Sequence, residues 1–327
     1  MAQIRDAILT SHVYDIVQET PLAAADHLSD QLGNRVLFKR EDLHPLFSFK
    51  IRGTYNRMAE FYRVGCRDGV ITASAGNHAQ GVAYSAKHLG ITAVIVMPCT
   101  TPDIKVDAVR RLGADVLLRG DDFAETSARA YDVALTSGRV FVEAFDDPFV
   151  IAGQDTIGEE ILRQSLGRLD AVFVPVGGGG LISGIAAFLH SLAPHVTVGG
   201  VQPFEADAMY QSLAKGHRVA LDRVGRFADG VAVREAGRLT FPIVQQTVDR
   251  IVRVSNDEIC GAIKDVFDDT RTIMEPAGAL SVAGLRRFVE SENVKGANLV
   301  AVLSGANMDF HKLGRVAERI RGAAGSG

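Results

Sequence analysis

Short runs of β-branched and apolar residues alternate along the chain with amphipathic stretches that end at glycine. From Gly69 onward, the runs GVITAS, TAVIVMP, ADVLLRG and RVFVEAF predict strands, because each is short and rich in valine, isoleucine or leucine. The stretches between them end at Gly90, Gly113 and Gly138. Glycine is the residue that most readily adopts the left-handed conformation at a helix C-terminus. Strands that alternate with helices in this way predict βαβ units and a parallel sheet.

A second series of the same kind follows Pro148. It contains a predicted helix in GQDTIGEEILRQSL, two helices between Asn256 and about Glu292, and strands in AVFVPV, VTVGGVQP, RIVRVS and NLVAVLS. The sequence has no internal repeat and no low-complexity linker. We therefore predict an α/β protein with two lobes and a cleft between them.

Composition narrows the class of protein. The 327 residues are 47% hydrophobic and carry a formal net charge of −4 without a basic block, which argues against a nucleic-acid partner. Cys66, Cys99 and Cys260 are far apart and lack C-x-x-C spacing, so they predict reduced thiols rather than disulfides or a zinc site. The N-terminal residues are too charged for a signal peptide, and Pro175 with four glycines interrupts the one uncharged stretch of membrane-spanning length. We expect a soluble cytoplasmic protein that does not bind membranes.

Lys50 is the first candidate for chemistry, because it lies in an apolar context with Phe47, Phe49 and Ile51. An ammonium group packed among apolar side chains is costly, so its pKa falls towards the neutral amine. A neutral amine is a nucleophile that forms a Schiff base with a carbonyl group. The alternative is an ordinary surface lysine on an amphipathic helix.

The stretch PVGGGGLISG predicts a strand, a glycine turn and the start of a helix. Backbone N–H groups in such a turn can approach a phosphate closely, and the helix N-terminus adds partial positive charge. No Lys-Ser/Thr pair follows, so this is not a Walker loop. Gly178, Gly180 and Gly184, with Glu205 after the next strand, also fit a loosened dinucleotide pattern. An NAD(P)-dependent dehydrogenase therefore stays open as an alternative, as does a tight helix–strand junction without a ligand.

Two further segments offer polar groups. In TASAGNHAQG, the residues Ser74, Gly76, Asn77 and His78 lie at a predicted helix start, which suits a carboxylate, although a plain helix cap is an equal reading. His78 has no partner at metal-ligand spacing. Ser304 follows a buried strand and can donate a hydrogen bond to a ring nitrogen or act as a cap. An amine, a phosphate cradle, a carboxylate loop and a hydroxyl are together what pyridoxal phosphate (PLP) and an amino-acid substrate require.

The motifs SFKIRG, SAGNHAQG, VPVGGGGL and LSGAN resemble those of the fold-type II PLP enzymes, and specifically of the biosynthetic threonine dehydratases. KREDLHPLFSFKIRG, VIAGQDTIGEE, FADGVAV and EPAGAL extend the resemblance, in order, over nearly the whole chain. The resemblance implies a tryptophan synthase β-like fold, with two open twisted α/β lobes and the cofactor in the cleft between them. Residues 1–44 and 147–327 would form the large PLP-binding lobe, and residues 45–146 the small lobe.

The resemblance also implies residue roles. Lys50 would form the Schiff base with PLP and then act as the base at the substrate Cα, and Phe49 would border the cofactor. Asn77 would hydrogen-bond the 3′ oxygen, and Ser304 would face the pyridine nitrogen. The phosphate would be held by Gly177, Gly178, Gly179, Gly180 and Leu181, and the substrate carboxylate by Ser74, Ala75, Gly76, Asn77 and His78.

The implied activity is deamination of L-threonine to 2-oxobutanoate and ammonia, and of L-serine to pyruvate, in isoleucine biosynthesis. A serine-preferring dehydratase of the same fold is the alternative. Ala75 stands where related serine racemases carry a serine able to reprotonate Cα, which favours elimination over racemisation. Gln202 and Ala208 replace the acidic residues that bind a divalent cation in those relatives, so no metal site is predicted.

Three further expectations follow. The chain stops soon after LGRVAERI, so the isoleucine-sensing C-terminal domain of biosynthetic relatives, and feedback inhibition through it, are expected to be absent. A homodimer or homotetramer is expected from the relatives. Glu275 is expected to be a helix N-terminal carboxylate stabilised by the helix dipole.

Overall fold

The computed structural model describes residues 10–65, 68–166 and 168–324, with side chains up to Arg321. The chain forms two compact units. Unit 1 comprises the described part of Met1–Gln18 together with Lys50–Gly153, and unit 2 comprises Glu19–Phe49 together with the described part of Gln154–Gly327. These limits differ from the predicted lobes by a few residues, and the first segment groups with unit 1. One reason is that the N–H of His12 donates to Oδ1 of Asn56 at 2.9 Å.

Unit 1 contains a four-stranded parallel sheet in the order β5-β4-β3-β6. Its strands are β3 (Val70–Ala73), β4 (Ala93–Met97), β5 (Asp115–Leu118) and β6 (Val140–Phe141), and its helices are α2 (Lys50–Arg63), α3 (Asn77–Leu89), α4 (Asp103–Arg111) and α5 (Phe123–Ser137). Helices α2, α3 and α4 pack on one face of the sheet, through Met58, Val82 and Val106. Helix α5 packs on the other face through Ala130.

Unit 2 contains a six-stranded sheet in the order β1-β2-β10-β7-β8-β9, in which only β1 is antiparallel to its neighbour. The strands are β1 (Leu22–Ala24), β2 (Arg35–Arg40), β7 (Ala171–Pro175), β8 (Thr197–Pro203), β9 (Arg250–Val254) and β10 (Asn298–Leu303). The helices are α1 (Asp26–Leu32), α7 (Gly180–Leu192), α8 (Ala208–Lys215), α9 (Thr240–Thr247), α10 (Asn256–Thr270), α11 (Pro276–Glu292) and α12 (Lys312–Ala324).

Side chains of the unit 2 strands alternate between two cores, as the period of a strand requires. Phe173 and Ala301 lie in the core formed with α10 and α11, while Val172 and Val300 lie in the core formed with α7. Helix α6 (Pro148–Gln164) contributes Ile157 and Ile161 to the second core. Both faces of the sheet are therefore covered, which is why its strands are apolar on both sides.

The predicted strand–helix alternation is confirmed in both units. Gly90 and Gly138 end α3 and α5 in the left-handed conformation, and Gly113 follows α4 with φ of 93°. The helix predicted from Gly153 instead begins at Pro148, because Oδ1 of Asp147 accepts the N–H groups of Phe149 and Val150.

Two expectations from composition can be compared with the described residues. Cys99 is exposed and Cys260 is buried, and both are free thiols, whereas Cys66 lies outside the described residues. Among the described helices, none has the length and apolar character needed to cross a membrane.

Candidate active site

Lys50 is the first residue of α2 and is half-buried in unit 1. Its Nζ donates a hydrogen bond to the carbonyl oxygen of Ala144 at 2.8 Å. Ile51 beside it is fully buried, as the apolar context predicted. Phe47 is different: its side chain is 57% exposed and its backbone has φ of 52°, so it does not pack in the core as the sequence suggested.

The predicted carboxylate loop connects β3 to α3. Ser74 is half-buried, and its Oγ accepts the N–H of Gly76 at 3.2 Å. The N-cap residue of α3 is Gly76, so no side chain caps this helix and the alternative reading of Ser74 or Asn77 as a cap is wrong. The N-terminus of α3 therefore directs its partial positive charge at the loop, which suits an anion.

His78 lies in the first turn of α3 and is 4% exposed. Its Nε2 is 3.0 Å from Oγ1 of Thr72 and 3.1 Å from the carbonyl oxygen of Val142. Burial, and then the positive charge of Lys50, lower the pKa of His78 to about 3. The imidazole is therefore neutral at ordinary pH.

An acidic segment follows β6. Oε1 of Glu143 accepts the hydroxyl of Tyr131 at 2.5 Å, and the Tyr131 ring stacks on Phe141. Burial raises the pKa of the Glu143 carboxyl, and the neighbouring charges of Asp146 and Asp147 raise it further. The carboxyl group next to Ala144 is thus more readily protonated than an exposed glutamate.

The glycine loop of unit 2 joins β7 to α7, as predicted. Gly178, Gly179 and Gly180 are buried, and Leu181 is 5% exposed in the first turn of α7. Gly179 has φ of 103°, which L side chains rarely adopt. The carbonyl of Gly178 accepts Oγ1 of Thr240 at 2.5 Å and the N–H of Gly237 at 3.1 Å.

The back of this loop is closely packed. A Cβ atom at Gly177 would lie 3.2 Å from Cα of Val231, and one at Gly179 would lie 2.8 Å from Cε of Met209. A Cβ is excluded at Gly179 and would be tightly packed at Gly177. Backbone N–H groups at a helix N-terminus are what a phosphate group requires. These residues fit the phosphate of PLP.

Ser304 follows β10 in unit 2 and is 5% exposed. Its Oγ donates to the carbonyl oxygen of Ala277 at 3.3 Å, while its own carbonyl accepts the N–H of Phe49 at 3.2 Å. Phe49, the residue before Lys50, also packs against the core formed with α7. The backbone of Ser304 therefore fixes the end of the segment that leads to the lysine.

Several residues at these sites were not predicted from the sequence. Ala144, Thr72 and Val142 contact Lys50 or His78 through a carbonyl or hydroxyl group, and Thr240 orients Gly178. Every residue has a backbone carbonyl, so a contact through a carbonyl does not depend on residue type. No sequence signal therefore identifies Ala144 or Val142. Thr240 lies 60 positions beyond the glycine loop, and only the fold brings it to Gly178.

The buried carboxyl groups of unit 2 include those of Glu275 and Asp155. Glu275 precedes α11 as its N-cap residue and is 5% exposed, but its side chain makes no capping hydrogen bond. Asp155 on α6 is fully buried, and neither of its oxygens has a hydrogen-bond partner among the described residues. Burial, and then the charge of Glu159, raise the pKa of Asp155 to about 8. No group of three or more histidine, cysteine or acidic side chains in the described ranges is arranged to hold a metal ion.

Comparison with known proteins identifies the class. A family model described as pyridoxal-phosphate dependent enzyme matches residues 13–305. The chain therefore belongs to the PLP-dependent enzymes. The predicted fold type and cofactor are confirmed, and the dinucleotide alternative for the glycine loop is set aside.

Within this family the chain groups with the threonine dehydratases, also called threonine deaminases. It superposes on the processed form of threonine deaminase isoform 2 from Solanum lycopersicum with a TM-score of 0.95 and 50% identity, covering 98% of this chain and 88% of that one. It is 51% identical over 318 residues to L-threonine dehydratase biosynthetic IlvA of Pasteurella multocida, covering 97% of this chain and 62% of the relative. It is 53% identical over 311 residues to the chloroplastic threonine dehydratase 1 biosynthetic of Solanum lycopersicum, covering 95% of this chain and 51% of the relative. The chain thus spans about half to three fifths of the length of these curated relatives.

Proposed function

We propose that this chain catalyses the deamination of L-threonine to 2-oxobutanoate and ammonia, and that it accepts L-serine to give pyruvate. Support comes from relatives named threonine dehydratase or deaminase at about 50% identity. The structural observation that carries the proposal is Lys50, half-buried at the start of α2 with its amine held by the carbonyl of Ala144. An amine held in this way, near a helix N-terminus suited to a carboxylate, fits a reaction on an α-amino acid.

Each residue has a proposed part. Lys50 would hold the cofactor through its amine, and the same amine would take the proton from the substrate Cα. Backbone N–H groups of Gly177, Gly178, Gly179, Gly180 and Leu181 hold the phosphate, Asn77 hydrogen-bonds the 3′ oxygen, and Phe49 borders the ring. Ser304 donates to the pyridine nitrogen. Ser74, Ala75, Gly76, Asn77 and His78 hold the substrate carboxylate at the N-terminus of α3.

When bound, PLP supplies an electron-withdrawing ring that weakens the Cα–H bond of the amino acid. Ser304 is neutral, so it does not protonate the pyridine nitrogen as an acidic partner does. A neutral partner at this nitrogen would suit elimination, in which the β-hydroxyl group leaves with a proton as water. Ala75 has no proton to give to Cα, which also favours elimination over racemisation.

The wider setting is also proposed. Isoleucine biosynthesis is the proposed pathway, because the relatives from Pasteurella and tomato are named biosynthetic. A homo-oligomer is proposed, as a dimer or tetramer. The cytoplasmic location stays a prediction, since relatives named chloroplastic or mitochondrial act in other compartments.

The test is turnover by the purified protein with PLP. We expect 2-oxobutanoate to accumulate with L-threonine, together with a change in the visible absorbance of the lysine-bound cofactor. The ratio of kcat/KM for L-threonine and L-serine decides between the two preferences, because one methyl group discriminates by only about 1–3 kcal/mol. A protein that shows the visible absorbance of bound PLP but releases neither 2-oxobutanoate nor pyruvate would contradict the proposed reaction.

A further inference from the structure

The carbonyl oxygen of Val142 receives hydrogen bonds from two side chains of unit 1. Oγ1 of Thr72, on β3, donates to it at 2.8 Å, and Nε2 of His78, on α3, lies 3.1 Å away. The N–H of Val142 in turn donates to the carbonyl of Ile71 at 2.9 Å. Val142 is itself fully buried. This residue is therefore fixed by the strand and the helix that flank the Ser74–His78 loop.

Two residues further along, the carbonyl of Ala144 accepts Nζ of Lys50. Two peptide units span at most about 7 Å, so the position of Val142 limits where the Ala144 carbonyl can lie. Between them, the Glu143 side chain is held by Tyr131. The amine of Lys50 and the ring of His78 thus both bond to carbonyls of one short segment, Val142–Ala144.

The hydrogen-bond partners of His78 determine its tautomer. The carbonyl of Val142 can only accept, and the Thr72 hydroxyl already uses its hydrogen for the same carbonyl, so Nε2 carries the proton. Nδ1 is then an acceptor, and it is buried without a partner among the described residues. Leaving a buried acceptor unpaired is unfavourable. The partners of Nε2 therefore place the ring N–H on the side of Val142 and Thr72.

We propose that His78, together with Thr72, is a positioning residue for Lys50: the two side chains fix Val142 and so set where the carbonyl of Ala144 holds the lysine amine. This inference rests on the proposed function only in taking Lys50 as the nucleophile. It adds a use for the His78 side chain that is separate from the backbone contacts proposed for the carboxylate loop.

The test compares His78→Leu, which removes the donor, with His78→Gln, whose Nε2 can still donate to Val142. Thr72→Val removes the second donor. Matched controls are His88→Leu, an exposed histidine near the end of α3, and Thr126→Val, a buried threonine of α5 whose hydroxyl bonds to backbone carbonyls elsewhere. The nearby acidic side chains Glu143, Asp146 and Asp147 stay unchanged in every variant.

The first readout is the pKa of Lys50 in the protein freed of PLP, from the pH dependence of its acetylation by acetic anhydride, measured by peptide mass without any substrate. A carbonyl acceptor favours the charged ammonium, so its displacement lowers this pKa. We expect a fall of about half a unit or more in His78→Leu, a smaller fall in Thr72→Val, and the parent value in His78→Gln and both controls. A purely structural role would lower Tm without moving the Lys50 pKa.

The second readout is turnover of L-threonine by the PLP-loaded protein. In His78→Leu we expect kcat to fall about tenfold with KM changed less than about twofold, and His78→Gln to restore most of it. Equal Lys50 pKa values in the parent, His78→Leu and Thr72→Val would overturn the inference. If His78→Leu does not fold, the Lys50 pKa of Thr72→Val is compared with that of Thr126→Val, and equal values would overturn the inference. A parent protein that does not turn over threonine would instead contradict the proposed function. The acetylation result would still decide whether His78 and Thr72 position the Lys50 amine.

Discussion

Unit 1 and unit 2 offer chemistry in different ways. In unit 1 the functional groups are side chains, and Lys50, His78 and Thr72 each bond to a backbone carbonyl that follows β6. In unit 2 the glycine loop offers backbone alone, and the residues behind it leave no room for a Cβ at Gly179 and only a tight fit at Gly177. Substitutions in unit 1 should therefore change reactivity, whereas substitutions in the loop of unit 2 should change cofactor affinity and stability together.

The two regions also differ in charge. The unit 1 segment carries Lys50 close to a neutral histidine and a glutamate whose pKa is raised. The unit 2 loop carries no charged side chain, so the proposed binding of a phosphate would depend on its N–H groups and the start of α7. The proposed amine nucleophile and the proposed phosphate site thus lie on separate elements, each with its own supporting residues.

The largest effect is expected for Lys50→Ala, which removes the nucleophile from unit 1. We expect turnover to fall at least about 1000-fold and the lysine-bound absorbance to disappear. PLP should still bind through the glycine loop, because unit 2 is unchanged. Measurements of kcat, of visible spectra and of retained PLP check this prediction. Loss of all PLP affinity would show that the two regions are not separable.

The second effect concerns Asp155, a buried side chain of unit 2. Its pKa is raised to about 8 in the folded protein, so the folded state holds a proton that the unfolded state releases above its ordinary pKa near 4. The free energy of unfolding should therefore fall as the pH rises from 5 to 8, by about 4 kcal/mol from this group. Asp155→Asn should abolish this slope, as measured by urea unfolding at both pH values. The same slope in the variant would assign it to other groups.

The third effect concerns Gly179 in the loop itself. Gly179→Ala should lower stability by about 2–3 kcal/mol, since φ of 103° and the contacts with Met209 and Thr240 both oppose a Cβ. PLP affinity should fall at least about tenfold, because the loop must shift. Gly261→Ala is the control, since no atom lies within 4 Å of a Cβ built there in α10. It should be neutral or stabilising by up to about 1 kcal/mol. Equal PLP affinity in both variants would contradict the proposed cradle.

The smallest effect is expected for Ser304→Ala, where one side chain of unit 2 is proposed to contact the ring nitrogen. We expect PLP affinity to fall about three- to tenfold, the value of one hydrogen bond. Ser281→Ala serves as control: its buried Oγ donates to the carbonyl of Val302 at 2.7 Å, so stability should fall without a change in affinity. Titration of the apoprotein with PLP measures both variants. An unchanged affinity in Ser304→Ala would remove the ring contact from the proposal.

Local sequence signals predicted a large part of this fold. The apolar strands β3, β4 and β7, the glycines that end α3 and α5, and the glycine turn before α7 all follow from residue type. Strand β2 was not predicted, because its sequence RVLFKR includes three charged residues. Nζ of Lys39 in this strand is fully buried and pairs with Glu160 at 2.5 Å, a partner on a distant helix. Only tertiary pairing makes such a strand stable.

For the candidate site, too, residue type decided what could be predicted from the sequence. Lys50, the SAGNH loop and the four glycines were predicted, since their chemistry depends on residue type. The carbonyl of Ala144 and the double donation to Val142 were not, because any residue supplies a carbonyl and only the fold brings it to a lysine or a histidine.

The most direct test of the central claim is to load the parent protein with PLP, reduce it with borohydride and map the modified peptide by mass spectrometry. Reduction makes the bond between the lysine and the cofactor permanent. We expect one pyridoxyl group per chain, on Lys50, and none in Lys50→Ala. A label on another lysine, or no label on a protein that binds PLP, would contradict the assignment of Lys50 as the nucleophile.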